Sequence, residues 1–557
     1  MIDTQLAAAP FRLDRDAIAW VHATFDRLTP EERVGQLFVF SVHSHDDAQT
    51  AMLKALRPGG VTRFFGAASE AEELAFFADL RAASAVPPFI TADLEGSRMS
   101  LPFGTEVPNP LALAAIDDIA ATRTISRIIA EEAHAIGINW TFTPVIDINA
   151  AFRSAIVATR SLGSDVDLIQ RHALAQIDEF QKHGIAATVK HWPGEGYDDR
   201  DQHLVTTINP LSLDEWEKTF GRLYRAAIDA GVMAVMSAHI AFPAFIRSLD
   251  PDAGVEAFRP ASISRHLNVT LLRERLGFNG LIVSDATPMA GLGAWASYDQ
   301  TMPELIANGC DVILFSTDPA GHVRLVRDAV ESGLIPRARF DEAVLRVLGL
   351  KAAIGLHRAD ARTDAERLAA LATPVNRAAA DAITRRAPTL IKDTQNLLPL
   401  DPARHRRVLV FTPGIVHPLA GTTAAFAVPE MLAAEGFEVT MFAPGMSITR
   451  ADFDLVLYLF GDETLLTRSH IFIDWMKLGG GNLYGAFHRT WHDIPTAMIS
   501  FGYPYLLYDA PRVPTYINAY ATMESMQRAV VEALLGRIPW NRNSPIDPTA
   551  GLEDARY

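Results

Sequence analysis

Apolar runs of strand length recur along the first two-thirds of the chain, at residues 35–42, 60–65, 88–93, 139–147, 186–191, 232–239, 280–285 and 310–316. Most are separated by stretches whose apolar residues return every three or four positions, the spacing that gathers them on one face of a helix. The runs are apolar on both faces instead of alternating, as parallel strands covered by helices require. Gly137, Gly184 and Gly231 each follow an amphipathic stretch and suit the left-handed residue that ends a helix. Ser212 and Glu215 have the spacing of a capping box that opens one. Eight such strands alternating with helices predict an α/β fold, a closed (β/α)8 TIM-type barrel over residues 1–355. An open doubly wound sheet has the same periodicity and stays open at this point.

Residues 356–386 are rich in Ala, Arg and Asp and read as a helical linker. A second alternation follows, with apolar runs at 408–412, 437–442, 455–460, 497–501 and 516–520. It predicts a smaller α/β domain over 387–557 built on an open, parallel sheet. Gly479-Gly480-Gly481 lacks the following Lys-Ser/Thr of a phosphate-binding loop and reads as a turn. The residues from Asn541 onward read as a polar tail.

Composition narrows the function classes. A chain of 557 residues exceeds what one core supports, consistent with two domains. With 50 basic and 66 acidic side chains the net charge is -16, which argues against nucleic acid or an anionic membrane as the main partner. Cys310 is the only cysteine, so neither an internal disulfide nor a thiolate metal cluster is available. The first ten residues lack the basic start and apolar core of a signal peptide. No apolar run has the length of a membrane span. The expectation is a cytoplasmic protein, monomer or homodimer.

Reactive side chains collect at the ends of the apolar runs: Asp93 and Glu95, Asp147, Lys190 and His191, His239, Asp285. In a barrel the carboxyl ends of all strands lie on one face, so these residues converge. The densest stretch is Lys190-His191-Trp192-Pro193-Gly194-Glu195-Gly196, continuing through Asp198, Asp199 and Asp201 to His203. Asp201 and His203 are two apart, so one carboxylate can hold the imidazole by one nitrogen and leave the other free for proton transfer. A loop this rich in carboxylates favours the protonated imidazole.

The segment 190–203, KHWPGEGYDDRDQH, resembles the motif of glycoside hydrolase family 3, in its β-N-acetylglucosaminidase branch. That motif runs Lys-His, one residue, Pro-Gly, one residue, Gly, four residues, then Asp, Ser or Thr, and His. Every spacing is kept, with Gln202 in place of the small hydroxyl residue and Glu195 where histidine is common. Asp93-Leu94-Glu95-Gly96-Ser97-Arg98 is similar to the family's D-x-E-G-G-R, with Ser97 replacing a glycine. Residues 137–147 resemble its G-x-N-x-x-x-x-P-V-x-D strand, and Arg160-Ser161-Leu162-Gly163 its R-S-F-G. Ile282-Val283-Ser284-Asp285 resembles its nucleophile strand, with Ala286 where a second Asp is frequent. Weaker likeness continues through residues 398–400 and 502–505.

The resemblance implies a retaining exo-β-N-acetylglucosaminidase that needs no cofactor and no metal. Asp285 is then the nucleophile and His203 the acid/base, oriented by Asp201. Asp93, Arg160, Lys190 and His191 grip the terminal sugar of a small carbohydrate substrate, such as a cell-wall fragment. His239 either joins them or caps a core network. Three rivals stand beside this reading. Related enzymes with a histidine acid/base pass the sugar to phosphate, which the acidic loop here disfavours. A metal-dependent amidohydrolase would use His43 and His45 with Lys190, His239 and Asp285. A sugar-binding protein without catalysis would explain Glu195, Gln202 and Ala286.

Overall fold

Eight parallel strands form the N-terminal sheet: β1 (Phe38–Val42), β2 (Gly60–Arg63), β3 (Phe89–Ala92), β4 (Trp140–Thr141), β5 (Thr188–Trp192), β6 (Ala234–Ser237), β7 (Leu281–Ala286) and β8 (Val312–Leu314). This is a computed structural model of the chain, and it describes residues 2–64, 68–358, 362–418, 422–466 and 468–557. Phe65, at the end of the second expected run, lies outside the described residues. The hydrogen-bonded order is β4-β3-β2-β1-β8-β7-β6-β5, sequential around a ring. Parallel bridges Trp140 to Ala186 and Val145 to Lys190 join the two ends. The barrel therefore closes, and the open doubly wound alternative falls.

Local chemistry explains the elements between the strands. Helix Ile119–Ile136 ends on Gly137, whose φ of 99° is the left-handed conformation that a side chain resists. Ser212 and Glu215 form the capping box that opens Leu213–Lys218. The barrel strands are buried on both faces, and burial of their side chains is the main driving force for closure.

The second domain holds β9 (Thr389–Asp393), β10 (Arg407–Val416), β11 (Thr423–Ala424), β12 (Glu438–Met441), β13 (Leu455–Gly461), β14 (Thr496–Ser500) and β15 (Thr515–Asn518). Their order is β9-β15-β14-β13-β10-β11, with β12 also on β10. The expected all-parallel sheet is corrected here: β9 pairs β15, and β11 pairs β10, antiparallel, so the sheet is mixed. Both antiparallel members are edge strands, where a chain returning from outside the alternation can add without a crossover helix.

The expected polar tail is also corrected. Ile546 and Ala555 are buried, Asn541 bridges Thr389, and the Lys392 Nζ donates to the carbonyls of Ala555 and Tyr557. Satisfied backbone carbonyls hold this segment as firmly as an apolar face.

The domains meet behind the barrel's first loops. Glu463, buried just past β13, accepts from Ser97 Oγ at 2.8 Å, Asn109 Nδ2 at 3.2 Å and the Thr522 backbone N–H at 2.7 Å. Tyr505 Oη donates to Asn149 at 2.9 Å, and Tyr503 Oη to the Phe152 carbonyl at 2.6 Å. Within the described residues 356–386 lie helices Asp364–Ala369 and Pro374–Thr384.

Candidate active site

The loop after β5 takes its shape from two glycines and a buried tryptophan. Gly194 has φ 123° and Gly196 φ 111°, and a Cβ there would lie 2.4 Å from the Phe220 ring and 1.9 Å from the Ile148 carbonyl oxygen. Trp216 donates from its indole to the Pro193 carbonyl at 2.8 Å and packs edge-on against Trp192. The chain after β5 is thereby turned back across the barrel mouth.

On one side of that mouth stands a largely buried ion cluster. Arg160 donates to both oxygens of Glu95, at 2.9 and 2.8 Å, and Lys190 Nζ lies 2.6 Å from Asp93 and 2.8 Å from Glu95. Burial opposes ionisation of Glu95, but Arg160 and Lys190 outweigh it and hold the carboxyl well below the usual range. Burial likewise opposes charge on Lys190, and Asp93 and Glu95 overcome it. Glu95 thus fixes Arg160 and Lys190, and Asp93, a quarter exposed, is the most accessible member of the cluster.

The next strand ends carry a second network. Asp147 accepts from the backbone N–H of His191 and of Glu195, at 3.0 and 2.9 Å, and from His191 Nδ1 at 2.5 Å. This leaves His191 Nε2 as the free ring nitrogen. Ligand atoms of Asp147, His191 and Glu195 lie within 4.8 Å of one another. Asp147 and His191 Nδ1 are already committed to each other and to backbone donors, an arrangement that orients an imidazole without a cation.

Asp201 is 1% exposed, and its Oδ1 accepts from His203 Nδ1 at 2.7 Å and from the His203 backbone N–H at 2.8 Å. Asp201 thus holds His203 through Nδ1 and the backbone, and Nε2 takes no part in these contacts. The loop docks on the segment following β7: Ala290 N–H donates to the His203 carbonyl and Gly291 N–H to that of Gln202. A Cβ on Gly291 would meet the Gln202 carbonyl at 2.4 Å and His239 at 2.9 Å, so this contact admits only glycine.

Asp285 ends β7. Its Oδ1 accepts from the Ala286 N–H at 2.7 Å, while Oδ2 is buried with no partner among the described residues. Burial opposes the carboxylate, yet the charges of His191, His239 and His203 and the Ala286 N–H together lower its pKa. Asp285 thus presents a carboxylate whose charged form its surroundings favour, with one oxygen unengaged among the described residues. At Ala286 the contact is made by backbone: His239 Nε2 donates to the Ala286 carbonyl at 3.0 Å, and Nδ1 faces Ser262 Oγ at 2.9 Å. Burial lowers the pKa of His239. Both of its ring nitrogens are engaged in these contacts.

Two expectations change. The acidic loop presents less charge than its composition implies: Asp198 is occupied by Arg200 and the Ile208 N–H. Burial, followed by Asp147 and Asp201, pushes the Glu195 carboxyl well above its usual range. His43 and His45 stack on Phe64 and Phe76, and His45 reaches Glu73. Among the described residues they form no ligand cluster with Lys190, His239 and Asp285.

Sequence reasoning placed Glu95 and Asp147 among the converging residues but gave neither a role, and both lie in the loops beyond β3 and β4. Gly291 and Glu463 gave no local signal. A groove of about 430 Å³ lined by Phe152, Arg153, Tyr197, Asp198 and Arg200, among others, borders the outer side of the loop and includes none of the expected catalytic residues.

Comparison with known proteins agrees with this architecture. The chain is 37% identical, over an alignment of 571 positions spanning all of both chains, to a Beta-N-acetylglucosaminidase/beta-glucosidase of Cellulomonas fimi. A Beta-hexosaminidase of Chromobacterium violaceum is 30% identical over 282 residues, 49% of this chain and 76% of that protein. Among solved structures, Beta-glucoside phosphorylase BglX superimposes with a TM-score of 0.91 at 33% identity, covering all of both chains. A glycoside hydrolase family 3 beta-N-acetylglucosaminidase from Paenibacillus sp. str. FPU-7 gives 0.80 at 25%, over 94% of this chain and all of that one. The Glycosyl hydrolase family 3 N terminal domain matches residues 29–350, and the chain belongs to that family.

Proposed function

We propose that this enzyme is a retaining exo-β-glycosidase that releases terminal β-linked N-acetylglucosamine through a glycosyl-aspartate intermediate. The observation that carries the reading is the pairing, over one barrel mouth, of Asp285 with a bare buried oxygen and His203 with its Nδ1 held by Asp201. Asp285 Oδ2 attacks the anomeric carbon while His203 Nε2 gives its proton to the departing oxygen. In the second half, His203 Nε2 takes a proton from water as the water attacks that carbon, and Asp285 leaves as carboxylate. Asp201 stabilises the imidazolium in both halves.

Asp93, Lys190, Arg160 and His191 bind the sugar in this reading. Prepaired charged groups discriminate hydroxyl patterns because a partner left unmatched costs about 1–3 kcal/mol. The natural substrate we assign is a small cell-wall fragment met in the cytoplasm. The name of the Cellulomonas fimi relative supports assaying glucosides alongside N-acetylglucosaminides.

A second reading replaces water with phosphate. It is favoured by the likeness to Beta-glucoside phosphorylase BglX, and by the loop chemistry, since engagement of Asp198 by Arg200 and burial of Glu195 remove much of the repulsion an incoming dianion would meet. Turnover of an aryl β-N-acetylglucosaminide with and without phosphate separates the two. Free sugar at an unchanged rate supports hydrolysis, and phosphate-dependent sugar 1-phosphate supports transfer. Cleavage of neither aryl sugar refutes both.

A further inference from the structure

The segment 190–203 departs from its family motif at Glu195 and Gln202, and in the folded chain these two side chains touch. Gln202 Nε2 donates to Glu195 Oε2 at 3.0 Å, and Gln202 Oε1 accepts from the His239 backbone N–H at 3.0 Å. We infer that Glu195 and Gln202 are one positioning unit for the reaction, a buried bridge that fixes the loop carrying Asp201 and His203 against three strand ends. The inference rests on the acid/base role proposed for His203.

The geometry of the bridge is complete at both ends. Glu195 is anchored through its main chain, donating to Asp147 and accepting from the Ile148 N–H at 3.2 Å. Its Oε2 also lies 3.7 Å from His191 Nδ1. Both residues are essentially inaccessible, at 3% and 0% exposure. Gln202 ties the loop to β5 through Glu195, to β6 through His239, and to the segment after β7 through the Gly291 N–H on its carbonyl. The next two bonds along the chain are the dyad and the Ala290 contact of His203.

A serine or threonine at 202 ends at Oγ and cannot span from the Glu195 carboxyl to the His239 backbone. The longer amide therefore matters only in combination with a hydrogen-bond acceptor at 195. The raised pKa of Glu195 is consistent with a neutral carboxyl there, which avoids adding a charge beside Asp147 and Asp201. One oxygen, Oε1, is buried without a partner among the described residues, so the side chain's contact with Gln202 is what it contributes.

The test compares Glu195→Gln, Glu195→Ala, Gln202→Ser and the double variant Glu195→Ala/Gln202→Ser on two aryl N-acetylglucosaminides, one with a poor and one with an activated leaving group. Glu195→Gln keeps the neutral bridge, and its kcat should stay within about threefold of wild type. Glu195→Ala and Gln202→Ser should each lower kcat on the poor leaving group about 10–100-fold, as for a displaced catalytic group. KM should change little, the activated substrate should suffer less, and the double variant should be no worse than either single one. Losses that multiply, equal losses on both substrates, or a Glu195→Gln variant as impaired as Glu195→Ala would each overturn the inference. The thermal midpoints of the same four proteins read the bridge without activity: coupled shifts support it and additive shifts overturn it. A wild-type protein inert towards both aryl sugars would instead overturn the proposed function.

Discussion

Asp201→Asn removes a charge while leaving the shape of the dyad. Asp201 Oδ1 receives both His203 contacts, at 2.7 and 2.8 Å, and the amide oxygen of asparagine can accept them unchanged. The new NH2 takes the place of Oδ2, which has no partner among the described residues, so no existing hydrogen bond is broken. What is lost is the charge-assisted part of the contact to an imidazolium. Hydrogen bonds to charged groups are worth about 1.5–3 kcal/mol, which at 1.36 kcal/mol per decade corresponds to roughly 10–150-fold in rate. The loss falls where the imidazolium forms, in hydrolysis of the glycosyl-enzyme. With a dinitrophenyl N-acetylglucosaminide, whose departure needs no acid, kcat/KM should stay within about threefold while kcat falls by that 10–150-fold. Azide needs no general base, so it should restore turnover and yield the β-glycosyl azide. Stopped-flow and steady-state release of dinitrophenolate measure both constants. Equal falls in kcat and kcat/KM on this substrate would show that Asp201 acts through the fold, and an unchanged kcat would remove it from the mechanism.

Two predictions concern stability. Lys351 is buried with its Nζ 2.7 Å from Gln36 Oε1, and burial lowers its pKa from 10.5 to about 7. The unfolded chain therefore binds a proton that the native one lacks between about pH 7 and 10.5. The penalty is full below pH 7 and vanishes above 10.5. Lys351→Met should stabilise by roughly 2–4 kcal/mol at pH 6, after allowing for the Gln36 oxygen left unpaired, with the gain fading as pH rises. Urea denaturation at pH 6 and 9 checks this, and a less stable variant at pH 6 contradicts it. Arg160→Met should cost about 3 kcal/mol, the lower end for a broken buried pair because Lys190 still reaches Glu95. Adding Glu95→Gln should recover most of it, and a further loss in the double variant would contradict the reading.

The barrel was legible because parallel strands buried on both faces leave uninterrupted apolar runs, and each of the eight expected runs overlaps one of β1–β8. The run 139–147 overstated its strand, β4, which ends at Thr141. Its later residues instead shape the mouth, where Asp147 collects three donors. β9 was missed because Thr389–Asp393 pairs antiparallel at an edge and is only partly buried, so it lacks the continuous apolar signature. The dyad was readable since Asp201 and His203 are two residues apart. The buried ion cluster was not: Glu95 meets Arg160 across 65 residues, and the closed barrel brings them together. Charge counting misled at the loop, because a composition cannot reveal that Arg200 occupies Asp198 or that Glu195 is buried.

The account stands or falls on where the sugar becomes attached. Incubating the enzyme with a 2-fluoro glycosyl donor bearing a dinitrophenyl leaving group, then mapping the labelled peptide by mass spectrometry, reads this directly. The account predicts one sugar per chain, ester-linked to Asp285 at the end of β7 and absent from Asp285→Asn. A label on another residue, or Asp285→Asn turning over the unmodified aryl glycoside as fast as wild type, would contradict it.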